Sequence, residues 1–273
     1  MKKEQFYPLT YLRSVEELRC GARTLKDHPG RKIEFLWDLI AGLKEDLEAD
    51  FRVLGVGVRG KIHSSVVIYA PENMLIEEGA EVEACAVLDA RSGPIYIGKN
   101  TIIRPQSYLR GPLSIGPACR IGGEVSHSIF HGYSNKAHYG FIGHSYIGEW
   151  VNLGAGTTNS NLKNNYGTVK VGEVDSGQQF VGCFIGDHAK LGIGTLITTG
   201  AVIGVAANVF GGGSTPKVMP SFSWGEDKIY ALDKAIAAAG EMMKRRGVGA
   251  GQIDQKLSEV FNLTKTERSG LAA

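Results

Sequence analysis

Aliphatic residues recur at every sixth position through the middle of the chain. One run is Ile97, Ile103, Leu109, Ile115 and Ile121; a second is Ile185, Leu191, Ile197, Ile203 and Val209. Shorter sets are Ile76, Val82 and Leu88, and Phe141, Ile147 and Leu153. Glycine often follows the aliphatic residue, as at Gly98, Gly116, Gly154 and Gly192. A small or β-branched residue often sits four places on, as at Thr101, Ser107, Thr195 and Ala201. A period of six fits neither a helix nor an amphipathic strand. It fits a triangular coil in which each side is one short strand and each corner a tight turn. The aliphatic residue then points into the prism, and Gly or Asn suits corners with positive φ. Three sides make one turn, so Cys183 and Ala201 stack on one face. The phase predicts a parallel β-helix of about seven to eight turns over roughly 60–213.

The phase breaks twice. Ile121 to Leu153 and Leu153 to Ile185 are equal gaps, each two residues longer than five repeats. This predicts two outward excursions. The first, at about 123–140, holds His127, His131, Asn135, Lys136 and His138. The second, at about 159–179, holds Asn161, Lys163, Asn164, Asn165 and Lys170. Interruptions of a regular scaffold tend to carry function.

The flanks read as helical. Ser14-Val-Glu-Glu17 is a capping box, and 32–49 places Phe35, Leu36, Leu39, Ile40, Leu43 and Leu47 on one stripe. Past a loop at 211–216, Ser223-Trp-Gly-Glu226 reads as a second capping box, opening a helix to about Arg246. A short amphipathic segment with Ile253, Leu257, Val260 and Phe261 follows. The expected division is an N-terminal helical segment (1–58), the coil (59–215) and a C-terminal helical extension (216–273).

Composition narrows the class. The net charge is +2 and no basic stripe stands out, so nucleic acid is not expected as a partner. Cys20, Cys85, Cys119 and Cys183 are far apart without a CxxC pair, which suits buried thiols in a reducing compartment. There is no apolar leader and no run long enough for a membrane span. A cytoplasmic protein without a membrane partner is expected.

Four histidines lie between 127 and 144. A neutral imidazole suits removal of a proton from an amine or hydroxyl near neutral pH. Basic groups nearby, such as Arg104, Arg110, Lys136 and Lys163, suit a phosphate on an acceptor. Acyl transfer from a thioester asks for little more than a base, an oxyanion donor and positioning.

The run Asn135-Lys-Ala-His138-Tyr-Gly-Phe-Ile-Gly-His144, then Ile147-Gly-Glu-Trp-Val-Asn-Leu-Gly-Ala-Gly-Thr157, then Asn161, carries a resemblance. It resembles the acetyltransferase half of the bifunctional glucosamine-1-phosphate acetyltransferase / N-acetylglucosamine-1-phosphate uridyltransferases, in their divergent bacterial and archaeal branch. The resemblance covers roughly 60–215. Tyr7-Pro-Leu-Thr-Tyr-Leu-Arg-Ser14 and Glu17-Leu-Arg-Cys-Gly21 resemble fragments of that branch's nucleotidyltransferase domain. The family implies a left-handed coil of hexapeptide repeats, a homotrimer with sites between subunits, and acetyl-CoA as acyl donor. It implies a sugar phosphate or nucleotide sugar as acceptor. On its pattern His138 falls on the catalytic base. Arg104 and Asn161 fall on the acceptor, Asn152 and Ala155 near the junction of the acceptor and acetyl-CoA sites, and Cys183 and Ala201 on the CoA path. Lys136 and Lys163 are expected at the acceptor as nearby basic groups, and Ala155 with the cofactor. No metal is implied. Phe141 stands where the family usually has Tyr, and Ser126 and His127 stand where the better-known branch has a Lys pair. The nucleotidyltransferase phosphate loop is absent, so the N-terminal segment reads as a cut-down remnant. Two other readings stay open. One is a non-catalytic trimer that binds sugar phosphates or nucleotide sugars as a scaffold. The other is a carbonic-anhydrase-like enzyme with a metal on histidines.

Overall fold

The computed structural model describes residues 3–272. Short parallel strands wind into a three-sided β-solenoid. The first side stacks nine strands, from Gly57–Val58 to Val218–Met219. The second stacks nine parallel strands, from Lys61–Ile62 to Ser223–Trp224. The third runs from Val67–Tyr69 through Phe141–Gly143 and Thr158–Asn159 to Gly213–Ser214. The six-residue phase sets the register: Ile97 faces Ile115, Ile103 faces Ile121, Ile185 faces Ile203, and Cys183 faces Ala201. The inward positions form one continuous apolar core from Met74 to Met219.

Glycine or asparagine takes positive φ at several corners as expected, among them Gly156, Gly194 and Asn100, but one corner is built mostly from other residues. Along the corner between the first and second sides, Asn100, Ala118, Tyr133, Trp150, His188, Ala206 and Phe222 all hold φ between 55° and 59°. A left-handed backbone costs a non-glycine residue roughly 1–2 kcal/mol. Side-chain stacking offsets that cost: Tyr133 lies 4.4 Å from Trp150, and Trp150 lies 6.2 Å from His188, ring to ring.

The two phase breaks have different causes. The second is an excursion: residues 160–182 leave the coil between Thr158–Asn159 and Cys183–Ile185 and carry the hairpin Lys170–Val171/Val174–Asp175. The first is not. Residues 123–140 stay in the coil, which here makes short turns. Ile121 faces Lys136, fifteen residues on, and Asn135 faces Asn152, seventeen on. Strands Tyr108–Ile115 and Glu124–Gly132 continue through the corner between the third and first sides without a break in pairing, turning at a register slip between Ser126 and Ser128. The same gap in phase is reached by dropping residues at corners rather than by adding a loop.

Shortening the turn puts Lys136 into the inward column that Ile103, Ile121 and Leu153 otherwise fill. It is 2% exposed, and its ammonium donates to the carbonyls of Gly122 at 2.8 Å and His138 at 2.9 Å. This corrects its expected place as an acceptor ligand: the ammonium is sealed inside the prism and its donors are engaged by backbone. Burial pushes its pKa down to about 8, against a smaller opposing pull from Glu124.

The coil also runs further than expected. Ser223–Trp224 is its last rung, paired to Asn208, and Lys228–Ile229 folds back on it antiparallel. The second capping box therefore opens no helix. Trp224 lies 5.0 Å from Phe210 and 5.1 Å from Tyr230, and this aromatic packing holds the segment extended. The helix begins later, as Leu232–Lys244, and Ile253–Leu263 follows it.

The flanks pack on the coil. The stripe at 32–49 forms two helices, α1 (Leu36–Ala41) and α2 (Leu43–Leu54). They part at Gly42, where a Cβ would meet the Arg31 guanidinium at 1.8 Å. Leu39, Leu43 and Leu47 join Phe6 and Leu18 against the outward residues of the first side, Leu75, Tyr96, Ile129, Tyr146 and Phe184. The C-terminal helices α3 (Leu232–Lys244) and α4 (Ile253–Leu263) share a third core with Val205 and Phe222. Three of the four free thiols are buried, as expected; Cys85 is exposed.

A buried ionic knot ties the N-terminal segment down. Arg13 pairs with Asp187 at 2.7 Å and with Glu149 at 3.2 Å. Burial works against the guanidinium, but the two carboxylates outweigh it. Arg13→Ala leaves Asp187 buried and unpaired, so it should cost about 3–5 kcal/mol in urea unfolding. Adding Asp187→Asn should recover part of that loss; strictly additive costs would show that the pair does not interact.

Lys136 yields a second test. Its folded pKa lies below the unfolded value near 10.4. The native state therefore sheds this proton first as pH rises, and the unfolded state binds more protons between about 8 and 10. Stability of the wild type should rise relative to Lys136→Met across that window. Thermal melts at pH 7 and pH 10 check this; a difference that does not move with pH would contradict the burial of the ammonium.

Candidate active site

The corner between the second and third sides collects three of the expected residues. Arg104 follows Ile103, Gly122 follows Ile121, and Ala137 follows Lys136, so the pairing of these strands sets them in one column. The pairing of Asn135 with Asn152 likewise sets Ala155 beside His138. With rungs about 4.8 Å apart, Arg104 stands roughly 10 Å along the corner from His138. Arg104 is half exposed and holds Glu83 at 2.9 Å.

His138 is exposed, alone among the four clustered histidines. Its backbone is fixed although its ring is free. The Lys136 ammonium holds its carbonyl from inside. Gly122 lets the rung above approach: a Cβ there would sit 2.5 Å from the Ala137 oxygen and 3.2 Å from the His138 nitrogen. Gly140, at φ 119°, ends the corner, where a Cβ would meet the Thr157 oxygen at 2.2 Å. A rigid backbone under a free imidazole is what a positioned proton acceptor needs.

The other histidines serve structure. His127 and His144 hold left-handed corners at φ 44° and 51° and stack with ring centres 4.6 Å apart. His144 Nδ1 receives the Asn161 amide at 2.8 Å, so its proton sits on Nε2. Burial, with His127 and Arg110 adding to it, pushes the His144 pKa down to about 3. His127 shifts down too, through burial and then Arg110 and Lys44. His131 is buried with Nδ1 2.9 Å from the Tyr146 hydroxyl, which accepts the Arg19 N–H at 3.0 Å. Burial and then Arg13 and Arg19 push its pKa well down.

Asn161, Phe141 and His144 converge around Gly143. A Cβ at Gly143 would meet the Phe141 ring at 2.3 Å and Asn161 Nδ2 at 2.8 Å. Lys163 lies on the excursion, and its ammonium donates to the Thr168 carbonyl. Asn152 lies on the second side, where its oxygen accepts the Asn135 amide at 2.8 Å. Cys183 and Ala201 stack as expected, but both side chains are fully buried in the prism core, and Cys183 Sγ lies 3.4 Å from Ser145 Oγ. This corrects the expectation that they line a CoA path, because both residues are fully buried, main chain included. Ser126, in the place of a family Lys, is buried.

The expected metal reading placed its ion on the clustered histidines. Among the described residues, the potential ligand atoms that converge within 4.8 Å are instead those of Cys20, His28 and Asp46. His28 there also lies 2.9 Å from Asp50, in a nest with Arg23 and Arg31. No helix of the described residues is long and apolar enough to cross a membrane.

No family model matches the chain. A bifunctional sugar-1-phosphate nucleotidylyltransferase/acetyltransferase of Sulfurisphaera tokodaii is 36% identical over 160 residues, covering 56% of this chain and 38% of the relative. The bifunctional protein GlmU of Picosynechococcus is 30% identical over 150 residues, covering 54% of this chain and 29% of the relative. GlmU of Exiguobacterium is 35% identical over 137 residues, covering 48% and 28%. The chain thus spans less than two fifths of the length of these relatives. Among solved structures, AntD of Bacillus cereus, an N-acyltransferase with dTDP and 3-hydroxybutyryl-CoA, covers 73% of this chain and 96% of its own. At 13% identity and a TM-score of 0.32 that likeness carries no argument. The β-solenoid and the sequence relatives agree: the chain is homologous to part of the GlmU-like bifunctional transferases, their C-terminal acetyltransferase region.

Proposed function

We propose that this protein is an acetyl-CoA-dependent N-acyltransferase acting on an amino-sugar phosphate or nucleotide sugar. It works as a cytoplasmic homotrimer, with its active site at the His138 corner. The observation that carries the reading is the exposed His138 imidazole on a locked corner, one residue on from the column of Arg104 and beside Ala155, in a chain related to sugar acetyltransferases.

The chemistry asks little of the chain. The acceptor amine attacks the thioester carbonyl carbon, a C–N bond forms, and the C–S bond breaks. His138 takes the amine proton, and the thiolate leaves with CoA. The imidazole is exposed, so an acceptor amine can reach it, and Arg104 stands two rungs away. Arg104 suits the acceptor's phosphate as a guanidinium held by a single carboxylate, with donors to spare. Neighbouring subunits supply what one corner lacks, and the flat third side, exposing Tyr69, Tyr108 and Leu196, is the face that suits such a neighbour.

Release of free thiol from acetyl-CoA, assayed with a panel of amino sugars and their phosphates, tests the activity. His138→Ala should lower turnover roughly 10²–10⁴-fold with melting temperature unchanged. His144→Ala should cost less in turnover and more in stability, because its ring packs a corner. Arg104→Ala should mainly raise KM for phosphorylated acceptors, since a phosphate held alike in ground and transition states gives uniform binding. Full activity in His138→Ala would remove the assignment.

Light scattering should give three times the 29.4 kDa chain mass. A monomer at micromolar concentration would sink the trimer.

A further inference from the structure

The second side of the coil carries an outward ladder of polar residues. Arg120 faces Asn135, Asn135 faces Asn152, and Asn152 faces Lys190 on successive rungs. Helix α3 and the turn after it lie across this ladder and bring in Glu241, Arg245 and Arg246. The cleft between them holds about 700 Å³, and a smaller cavity of about 390 Å³ beside it shares Arg120, Arg245 and Arg246.

The charges in this cleft do not balance. Arg120 donates to the carbonyls of Asn100 and Cys119, each at 3.0 Å. Arg246 donates to the Ala118 carbonyl at 2.9 Å, and Lys190 to the His188 carbonyl at 3.0 Å. All these partners are neutral. Among the described residues no carboxylate pairs with Arg120, Lys190, Arg245 or Arg246 within 4.0 Å, although seven arginine–carboxylate pairs form elsewhere. Glu241 is the single acidic residue lining the cleft. Burial pushes the Lys190 pKa down to about 8, and burial with repulsion from Arg246 lowers that of Arg120. Arg120, Lys190 and Arg246 are half-buried and held only by carbonyls, while Arg245 is exposed beside them; half-buried cations in such a group are costly unless an anion joins them.

We propose that this cleft binds the pyrophosphate group of a nucleotide ligand, with Arg120, Lys190, Arg245 and Arg246 as its counter-charges. Guanidinium groups match phosphate oxygens in pairs, and four cations against one carboxylate leave room for two to three negative charges. The volume admits a diphosphate with part of what it carries. Two ligands share this chemistry, an acyl-CoA and a nucleotide sugar. The inference stands on the charge balance of the cleft and holds whether or not acyl transfer occurs.

Calorimetric titration of the full chain with inorganic pyrophosphate, UDP and CoA tests it. Pyrophosphate should bind saturably at low ionic strength and weaken steeply as salt is added. Arg245→Gln/Arg246→Gln should weaken binding by about tenfold or more, the loss of charge-assisted hydrogen bonds. Lys190→Met should weaken it comparably, yet leave the unliganded melting temperature unchanged or higher, as expected where charge is kept for a ligand at the expense of stability. Competition then names the source. If CoA displaces pyrophosphate better than UDP does, the group belongs to the acyl donor; the reverse assigns it to a nucleotide sugar. Failure of pyrophosphate to bind, binding unaffected by the three substitutions, or displacement by neither nucleotide would overturn the proposal. So would a Lys190→Met variant that melts lower and binds as well as wild type, since the lysine would then be structural.

Discussion

Each rung of the coil makes its backbone hydrogen bonds to the rungs above and below, so no rung can rotate without breaking several of them together. That constraint fixes side chains in straight columns with a known step. Inward columns must be apolar and closely sized, which is why Ile103 and Ile121 or Ile185 and Ile203 answer one another. Outward columns are free in chemistry but fixed in position. Arg104 and His138 stand where they do because the strands beneath them are paired, and loops are not needed to aim them. A site made this way is rigid before any ligand arrives, which lowers the cost of ordering it.

The same constraint explains the exceptions inside the prism. Lys136 occupies an aliphatic slot, and a charge there would be intolerable without partners. The short turn supplies them, since the corner brings the carbonyls of Gly122 and His138 within reach of one ammonium. The lysine that sequence reasoning places on the substrate thereby acts behind the candidate base, gripping its main chain. Corners follow a related logic. Aromatic and imidazole rings stacked one above another fill the angle and offset a backbone conformation that L-residues avoid. The crowd of histidines that suggested chemistry has this second cause: His127 and His144 are corner fillers, and His131 belongs to the seam with the N-terminal segment.

The coil was legible because its inward positions leave a strict chemical trace in sequence. The excursion near Asn161 was legible for the converse reason, since added residues shift that trace and bring turn-forming polar residues with them. The break after Ile121 was not, because two residues too many for five repeats are also four too few for six, and composition does not separate a loop from shortened turns. Ser223-Trp-Gly-Glu226 carries the letters of a helix start, yet Trp224 is committed to a rung by its neighbours Phe210 and Tyr230. The basic cleft left no local trace at all. Arg120 and Arg246 are separated by more than a hundred residues and meet only because a helix from the far end of the chain folds over the second side.

The candidate corner and the basic cleft lie on the same stretch of coil. Asn135, in the cleft, and His138, at the corner, are three residues apart on one rung, a span of roughly 10 Å in extended chain. A pyrophosphate held over the second side would therefore sit one short side away from the candidate base. Distance on that scale lets a tightly held, unreacting part of a ligand set the position of its reacting end. The cations of the cleft would then contribute to turnover without touching the reacting atoms, and the rigidity of the rung between Asn135 and His138 would transmit that contribution. An open loop joining the two places would not.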